Sequence, residues 1–378
     1  MAREMTPQAS ILRLGIAGCG NVVGAYLSEV EKLNRSGQAE IVAIHGAEKH
    51  RQRAREEWRI PAFHTDYSAM LARPDVDAVV ILTPMPQHAA MATAALRAGK
   101  HVLVEKPLAT TLEDARSLLA VARETDRRLV CAPFTILSPT FQTIARRLRS
   151  GDIGKVVSAR GRYGWAGPDW TDWFYKPGGG ALFDLGVYIL TTLTGWLGPV
   201  RRVMAMTGVA IPNRMIQGRA VKVEADDNVQ VLLDFGESRF ASLTAGFTLQ
   251  QYRGPGIELF GTEGTINLLG DDWDPDGYEL WQNSAGCWQY FKETQPDWRW
   301  TDGLRHLVQC VQQKTKPLVT PEHALHVLEV MLKAQTSGQD GRAQAVESAF
   351  EPPVFEDPGQ MHAAHRVHDR TRGIESGS

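Results

Sequence analysis

The stretch LRLGIAGCGNVVGAYL, Leu12 to Leu27, decides how this chain is read. It opens as a short apolar run, Leu14-Gly15-Ile16-Ala17, and turns glycine-rich at Gly18-Cys19-Gly20. It then continues into helix-compatible residues with Val23, Leu27 and Val30 on one face. The order is strand, tight turn, helix. In such a unit the N–H groups of the turn and the positive end of the helix dipole face one point, where a pyrophosphate can sit without a basic side chain. Gly18 would allow the turn, Gly20 would let a phosphate approach the main chain, and Asn21 and Val22 complete the candidate cofactor-binding loop. Val23 stands at the third position of the fingerprint, where Gly or Ala is usual, and Gly24 comes one residue late. That departure would loosen helix-to-strand packing. Taken alone, the pattern also suits a purely structural glycine turn.

The residues from Ile41 to Ala132 favour the nucleotide reading. Ile41-Val42-Ala43-Ile44 reads as a buried strand and Lys49 to Trp58 as a helix. Ala78 to Leu82 is a second buried strand, with a helix from Pro86 to Arg97 that stops at Gly99. Strand His101 to Glu105 leads to a helix over Leu112 to Thr125, opened by a capping box at Thr111 and Asp114, and then to strand Leu129 to Ala132. Continuous apolar strands alternating with helices mean a parallel, doubly wound α/β sheet over residues 10–134. Ligands bind such sheets at the carboxyl ends of the strands, which makes the residues after Ile16, Ile44, Leu82 and Val104 the site candidates.

Composition narrows the class. The 378 residues are 43% hydrophobic and 22% charged with a formal net charge of -2, an ordinary globular balance with no basic excess for nucleic acid. No apolar run approaches the roughly 20 residues of a membrane-spanning helix, and MAREMTPQAS carries no apolar signal core, so a cytoplasmic protein without membrane contact is expected. Cys19, Cys131, Cys287 and Cys310 are scattered without a CxxC pair, which fits reduced thiols and no metal site.

The second strand bears on which dinucleotide is preferred. A ribose 2'-hydroxyl is normally held by Asp or Glu about 20 residues past the glycines, whereas a 2'-phosphate needs that carboxylate absent and a cation near. Here the strand ends in His45-Gly46-Ala47-Glu48 and is followed by Lys49, His50 and Arg51. Gly46 in place of a carboxylate points to NADP, with NAD as the alternative through Glu48. The basic residues also read as a solvated first helical turn. Further on, Glu105-Lys106-Pro107 puts a charged pair directly after a buried strand, where Lys106 could hold a substrate oxygen and the charge that develops on it. Gly178-Gly179-Gly180 then leads into a helix carrying Asp184 and Tyr188 four apart, on one helical face.

At this point the chain resembles the Gfo/Idh/MocA oxidoreductase family. The resemblance is carried by GCGNVVG, by TPMPQH at Thr83 to His88, by AGKHVLVEKPLATTLEDA at Ala98 to Ala115, by GGGALFDLGVY, and by GTEGTINL at Gly261 to Leu268. It implies an N-terminal Rossmann domain and a C-terminal α/β domain, here 135–355, with an open, mostly antiparallel sheet that often forms the oligomer interface. A homodimer or homotetramer is therefore expected. It also implies NAD(P)-dependent oxidation or reduction at a carbon of a sugar, cyclitol or related polyol, and places Thr83, Pro84, His88, Glu105 and Lys106 beside the cofactor. Members commonly use the lysine of EKP, an aspartate, and a histidine four residues beyond it. Lys106 and Asp184 match, and Tyr188 takes the histidine position, as in similar members that use tyrosine as the acid/base.

A tyrosine changes the chemistry. Its ordinary pKa of about 10 is too high for a base near neutrality, so oxidation would require a neighbouring cation, with Lys106 the obvious source. In the reductive direction a neutral phenol donates its proton to the forming alkoxide without any shift. Tyr188 thus favours carbonyl reduction or reversible chemistry. The segment with Trp165, Trp170, Trp173, Phe174 and Tyr175 reads either as a stacking platform for a sugar ring, with Trp170 and Trp173 as substrate contacts, or as a loop packed over the core. His88 reads as cofactor-side packing.

Beyond Pro199, the runs Asn228 to Phe235, Arg239 to Phe247 and Gly256 to Leu269 read as an antiparallel meander, and Asp302 to Gln313 and Pro321 to Lys333 as helices. Residues 356–378, with His362, His365 and His368 spaced by three, read as an unstructured tail rather than a metal site. Two other functions stay open at this level. One is a glycosidase or lyase that oxidises a ring carbon transiently on tightly held NAD, and the other is a nucleotide-binding regulator without chemistry.

Overall fold

Leu12–Ala17 (β1) is a strand because every residue but Arg13 is buried, so apolar surface on both faces meets helices. The computed structural model describes residues 10–355. The first half alternates strand and helix: α1 Val23–Arg35, β2 Ala39–His45, α2 Arg51–Glu56, β3 Phe63–His64 and α3 Tyr67–Leu71. It continues with β4 Ala78–Ile81, α4 His88–Arg97, β5 His101–Val104, α5 Leu112–Thr125 and β6 Leu129–Cys131. The strand order is β3-β2-β1-β4-β5-β6, all parallel. The order reverses between β1 and β4, which opens a crevice in front of Gly18 and Thr83.

Val23 does not loosen the packing as its place in the fingerprint suggested. It is buried at the start of α1 among Leu14, Ile16 and Tyr26, while a Cβ on Gly24 would meet nothing within 4 Å. The small residue was not needed at the contact. The helix expected over Lys49 to Trp58 is also shorter, a 3-10 turn at Glu48–His50 followed by α2. The α5 start is as expected, with Thr111 accepting from the Asp114 N–H at 3.1 Å.

The second half begins with α6 Pro139–Ser150 and β7 Val156–Gly164, then α7 Val187–Leu197 and β8 Arg202–Gly208. A hairpin of β9 Asn213–Ile216 and β10 Arg219–Lys222 stands apart from the main sheet. The sheet goes on through β11 Asn228–Asp234, β12 Phe240–Gly246, β13 Ile257–Gly261, β14 Gly264–Asp271, β15 Asp274–Gln282 and β16 Cys287–Lys292. The chain then runs through α8 Gly303–Gln313, α9 Pro321–Asp340 and β17 Gln344–Ala345. The nine strands of this large sheet lie in the order β16-β15-β14-β13-β7-β12-β11-β8-β17, antiparallel throughout except for β7 beside β12. The run read as one strand from Gly256 is split into β13 and β14.

One face of this sheet buries Val203, Val231, Leu243, Leu259 and Ile266 against α7 and α9. Each such side chain contributes roughly 1.5–3 kcal/mol of burial. Alternation then leaves Met204, Met206, Leu232 and Phe240 exposed on the other face. Helix α8 returns to the first half: Leu304, Leu307 and Val308 join the core built around β1 and α1. Helix α9 is buried along most of its length, so its polar groups find partners. Thr194 and His323 share a 2.7 Å hydrogen bond, and Glu329 accepts the N–H groups of Glu347 and Ser348.

Candidate active site

The phosphate-binding loop is built as its sequence demands. Gly18 has φ +113°, and a Cβ there would lie 2.7 Å from the Leu82 carbonyl, so only glycine fits. Gly20 faces open space, since a Cβ would meet no atom within 4 Å. Among the described residues no side chain caps α1, whose first residues follow Asn21 and Val22. An uncapped helix N-terminus behind an open glycine loop is what a dinucleotide pyrophosphate requires, and the residues present fit that group.

Gly46 follows β2 directly and has no side chain, and a Cβ there would approach Cys19 Sγ to 2.5 Å. The thiol therefore occupies the space that a carboxylate-bearing residue would need. Of the basic residues beyond it, Arg51 is already engaged, bonding Glu48 at 2.6 and 2.9 Å and lying over the Phe63 ring. Lys49 is exposed.

Lys106 lies two residues past the end of β5 and reaches across the interface between the two halves of the chain. Its Nζ donates to Asp184 Oδ1 and to the Asp184 carbonyl, each at 2.8 Å, with side-chain exposures of 11% and 17% for the pair. The same Nζ stands 5.2 Å from the centre of the Tyr188 ring. Lys106, Asp184 and Tyr188 are thus brought together although 78 positions separate the lysine from the aspartate. The helix expected to carry Asp184 is a π-turn, Leu182–Gly186, which passes into α7 only at Val187. Such single wide turns are frequent at functional sites.

The Tyr188 phenol is raised well above its ordinary value, by burial first and then by the negative charges of Glu105 and Asp184. Lys106 thus does not supply the downward shift that a phenolate base for oxidation would require, and the neutral phenol read for the reductive direction is the form burial favours. The lysine is paired with Asp184, so its charge is compensated before it reaches the phenol. The raised phenol keeps its proton near neutrality, and the Tyr163 ring lies edge-on to Tyr188 at 6.0 Å.

Glu105 and His88 face inward. Glu105 accepts from the Tyr26 hydroxyl at 2.7 Å and from the Lys106 N–H at 3.0 Å. His88 is 1% exposed and bridges the carbonyls of Thr83 and Pro107 at 2.8 and 2.7 Å, fastening the loop after β4 to the loop after β5. Both shape the site from behind. Thr83 directs its hydroxyl to Met91 Sδ at 3.5 Å, and Pro84 is exposed beside it.

Two acids and two tyrosines escaped the sequence reading. Asp272, between β14 and β15, accepts from Thr192 at 2.8 Å, and Thr192 in turn meets Thr135 at 2.9 Å. Burial pushes the Asp272 carboxyl up to about 7, against the opposing hydrogen bond from Thr192. Asp271, Tyr163 and Tyr252 complete this wall, and each of the tyrosines is raised by burial and by the two aspartates. Only the long-range register of β7 with β13, and the turn after β14, could have revealed them.

The aromatic segment forms stacks at the rim. Trp165 lies on Trp170 at 5.6 Å and Trp173 on Phe174 at 3.8 Å, leaving Trp170 and Trp173 43% and 42% exposed. The β9–β10 hairpin holds this loop: Gln217 donates to the Trp170 carbonyl at 2.8 Å. Beneath it, half-buried Arg214 pairs with fully buried Asp227 at 3.1 Å. Among the described residues no group of three or more His, Cys, Asp or Glu could hold a metal ion, and no helix is long and apolar enough to cross a membrane. His362, His365 and His368, with the rest of the tail, lie outside the described residues.

Comparison with known proteins agrees with this fold. Residues 12–132 match the model described as oxidoreductase family, NAD-binding Rossmann fold, and residues 141–267 match the GFO/IDH/MocA C-terminal domain. The trans-1,2-dihydrobenzene-1,2-diol dehydrogenase of Macaca fuscata fuscata is 29% identical over 270 residues, covering 70% of this chain and 76% of that protein. The dTDP-3,4-didehydro-2,6-dideoxy-alpha-D-glucose 3-reductase of Streptomyces violaceoruber is 33% identical over 267 residues, covering 70% and 74%. Among solved structures, a levoglucosan dehydrogenase in complex with NADH and levoglucosan shares the fold with a TM-score of 0.80. It is 20% identical, with 90% of this chain and 100% of that one covered.

Proposed function

This chain belongs to the GFO/IDH/MocA oxidoreductase family, and on that premise we propose that it moves hydride between NADP and a CH–OH or carbonyl carbon of a sugar, cyclitol or related polyol. Residues 10–134 hold the dinucleotide and 135–355 the substrate. The observation that carries the reading is the Lys106–Asp184 pair at 2.8 Å with the Tyr188 ring 5.2 Å away, at the carboxyl end of β5. A small-molecule substrate of this class suits the two curated relatives, a diol dehydrogenase and a reductase of a dTDP-linked sugar.

The loop at Gly18 and Gly20 and the N-terminus of α1 would hold the dinucleotide, whose nicotinamide would supply or take up the hydride when bound. Each residue of this chain has a part. Lys106 donates a hydrogen bond to the reacting oxygen and stabilises the charge that grows there. Asp184 fixes the ammonium in place through two acceptors, so that its third N–H is free for substrate. Tyr188 gives its proton to the forming alkoxide, and its raised pKa makes reduction the better-supported direction. Trp170 and Trp173 offer aromatic faces to the C–H side of a ring. The preference for NADP rests on Gly46, whose missing side chain leaves no carboxylate against a 2'-phosphate, and on exposed Lys49. The outer face of the large sheet, with Met206 79% exposed beside Met204, Leu232 and Phe240, supports a homodimer or homotetramer built on that face.

The test is turnover of NADPH or NADP against a panel of sugars, cyclitols and diols. Tyr188→Phe and Lys106→Met are each expected to collapse turnover while nucleotide binding persists. Full activity in either variant overturns the assignment.

A further inference from the structure

We infer that Tyr26 is a positioning residue of this site, tying the helix that receives the dinucleotide to the main chain of Lys106 through Glu105. The inference rests on the proposed role of Lys106 in holding the reacting oxygen. Tyr26 lies one turn inside α1 and is fully buried, and its hydroxyl donates to Glu105 Oε1 at 2.7 Å. The other oxygen of the same carboxylate accepts the Lys106 N–H at 3.0 Å. One buried side chain thus spans from the phosphate-binding helix to the residue that carries the catalytic ammonium.

The hydroxyl, not the ring, makes this link. A phenylalanine would fill the same space among Leu14, Ile16 and Trp300, whose ring meets Tyr26 edge-on at 5.8 Å. It would leave the buried carboxylate short of a donor, and a carboxylate so placed turns toward whatever donor it can reach. The Tyr26 phenol is raised well above its ordinary value by burial and by Glu105, so it remains a donor at all working pH. Glu105 also acts on Tyr188, whose proton it holds in place electrostatically. A displaced Glu105 therefore disturbs both Lys106 and Tyr188, whereas the glycine loop and its N–H groups stay as they are. Nucleotide binding and catalysis should separate on this one hydroxyl.

The experiment compares wild type, Tyr26→Phe, Glu105→Gln and the double variant. Tyr26→Phe is expected to lower kcat about tenfold at saturating nucleotide and substrate, with the NADPH dissociation constant changed less than about twofold. In nucleotide-free protein, hydrogen exchange in the peptide spanning residues 101–109 is expected to speed up by a similar factor at the Lys106 amide. The double variant is expected to be no slower than Glu105→Gln alone, because both changes break one link. Unchanged kcat and unchanged exchange in Tyr26→Phe, or losses that multiply in the double variant, overturn the inference. An active Lys106→Met enzyme would instead overturn the reading beneath it, and that result is separate from all four measurements.

Discussion

Thr192 donates its hydroxyl to Asp272 at 2.8 Å, one turn of α7 beyond Tyr188 and on the same face. Asp184, Tyr188 and Thr192 are spaced by four, so a lysine-paired aspartate closes one end of this stripe and a buried carboxyl with no paired cation among the described residues closes the other.

Asp272 should make the protein less stable as pH rises through neutrality. Its carboxyl titrates near 7 in the fold against 3.8 as its ordinary value, so the folded state holds a proton that the unfolded chain has released. Between those two values the folded state binds more protons, and stability falls as pH increases. Asp272→Asn removes that slope. Thermal midpoints at about pH 5 and about pH 8 should show the variant gaining on wild type at the higher pH, and a constant gap would show that Asp272 does not titrate in this range.

Tyr188 should separate the two directions of reaction. A phenol held well above its ordinary pKa stays protonated, so reduction is expected to be insensitive to Tyr188 ionisation from about pH 6 to 9. Oxidation, which needs the phenolate, is expected to rise with pH across the same range. Tyr188→Phe should cost on the order of 10²–10⁴ in kcat both ways. Rate profiles with NADPH and with NADP measure this directly.

The Lys106–Asp184 pair is shielded, so its two partners are expected to fail differently when changed singly and together. Lys106→Met leaves Asp184 uncompensated and should cost about 3 kcal/mol of stability as well as most activity. Adding Asp184→Asn removes the stranded charge. The double variant is expected to regain much of the stability in denaturant titration and none of the turnover, and recovery of turnover would contradict the role given to the lysine.

Coenzyme preference depends on two residues rather than one. Because a side chain at position 46 meets Cys19 Sγ at 2.5 Å, Gly46→Asp alone requires the thiol to turn away. Cys19→Ala combined with Gly46→Asp makes the room and supplies the carboxylate. The ratio of NADPH to NADH affinity is expected to fall by about tenfold or more in the double variant. If it does not move, the end of β2 does not read the ribose.

Much of the nucleotide half was legible because its signals are local. The turn at Gly18 and the capping at Thr111 each depend on neighbours within a few residues, and the structure repeats them. Lys106 and Asp184 were legible as candidates, through residue type and motif, but their bond was not, since 78 positions separate them. The direction of the Tyr188 shift was hidden for the same reason. Spacing does not say that Asp184 will take the lysine's charge before the phenol can feel it.

The sequence by itself determined most of the order of strands and helices in the first half, short β3 and α3 excepted, the glycine loop and the candidacy of Lys106, Asp184 and Tyr188, because periodicity and backbone freedom act within a few residues. Tertiary structure alone decided that Asp184 sits on a π-turn, that Glu105 and His88 turn inward, and that α8 crosses back to the first half. It also decided that buried Asp272 bonds Thr192, one turn of α7 beyond Tyr188. Those outcomes depend on burial and on which charges meet across the interface between the two halves, and neither exists until the chain has folded.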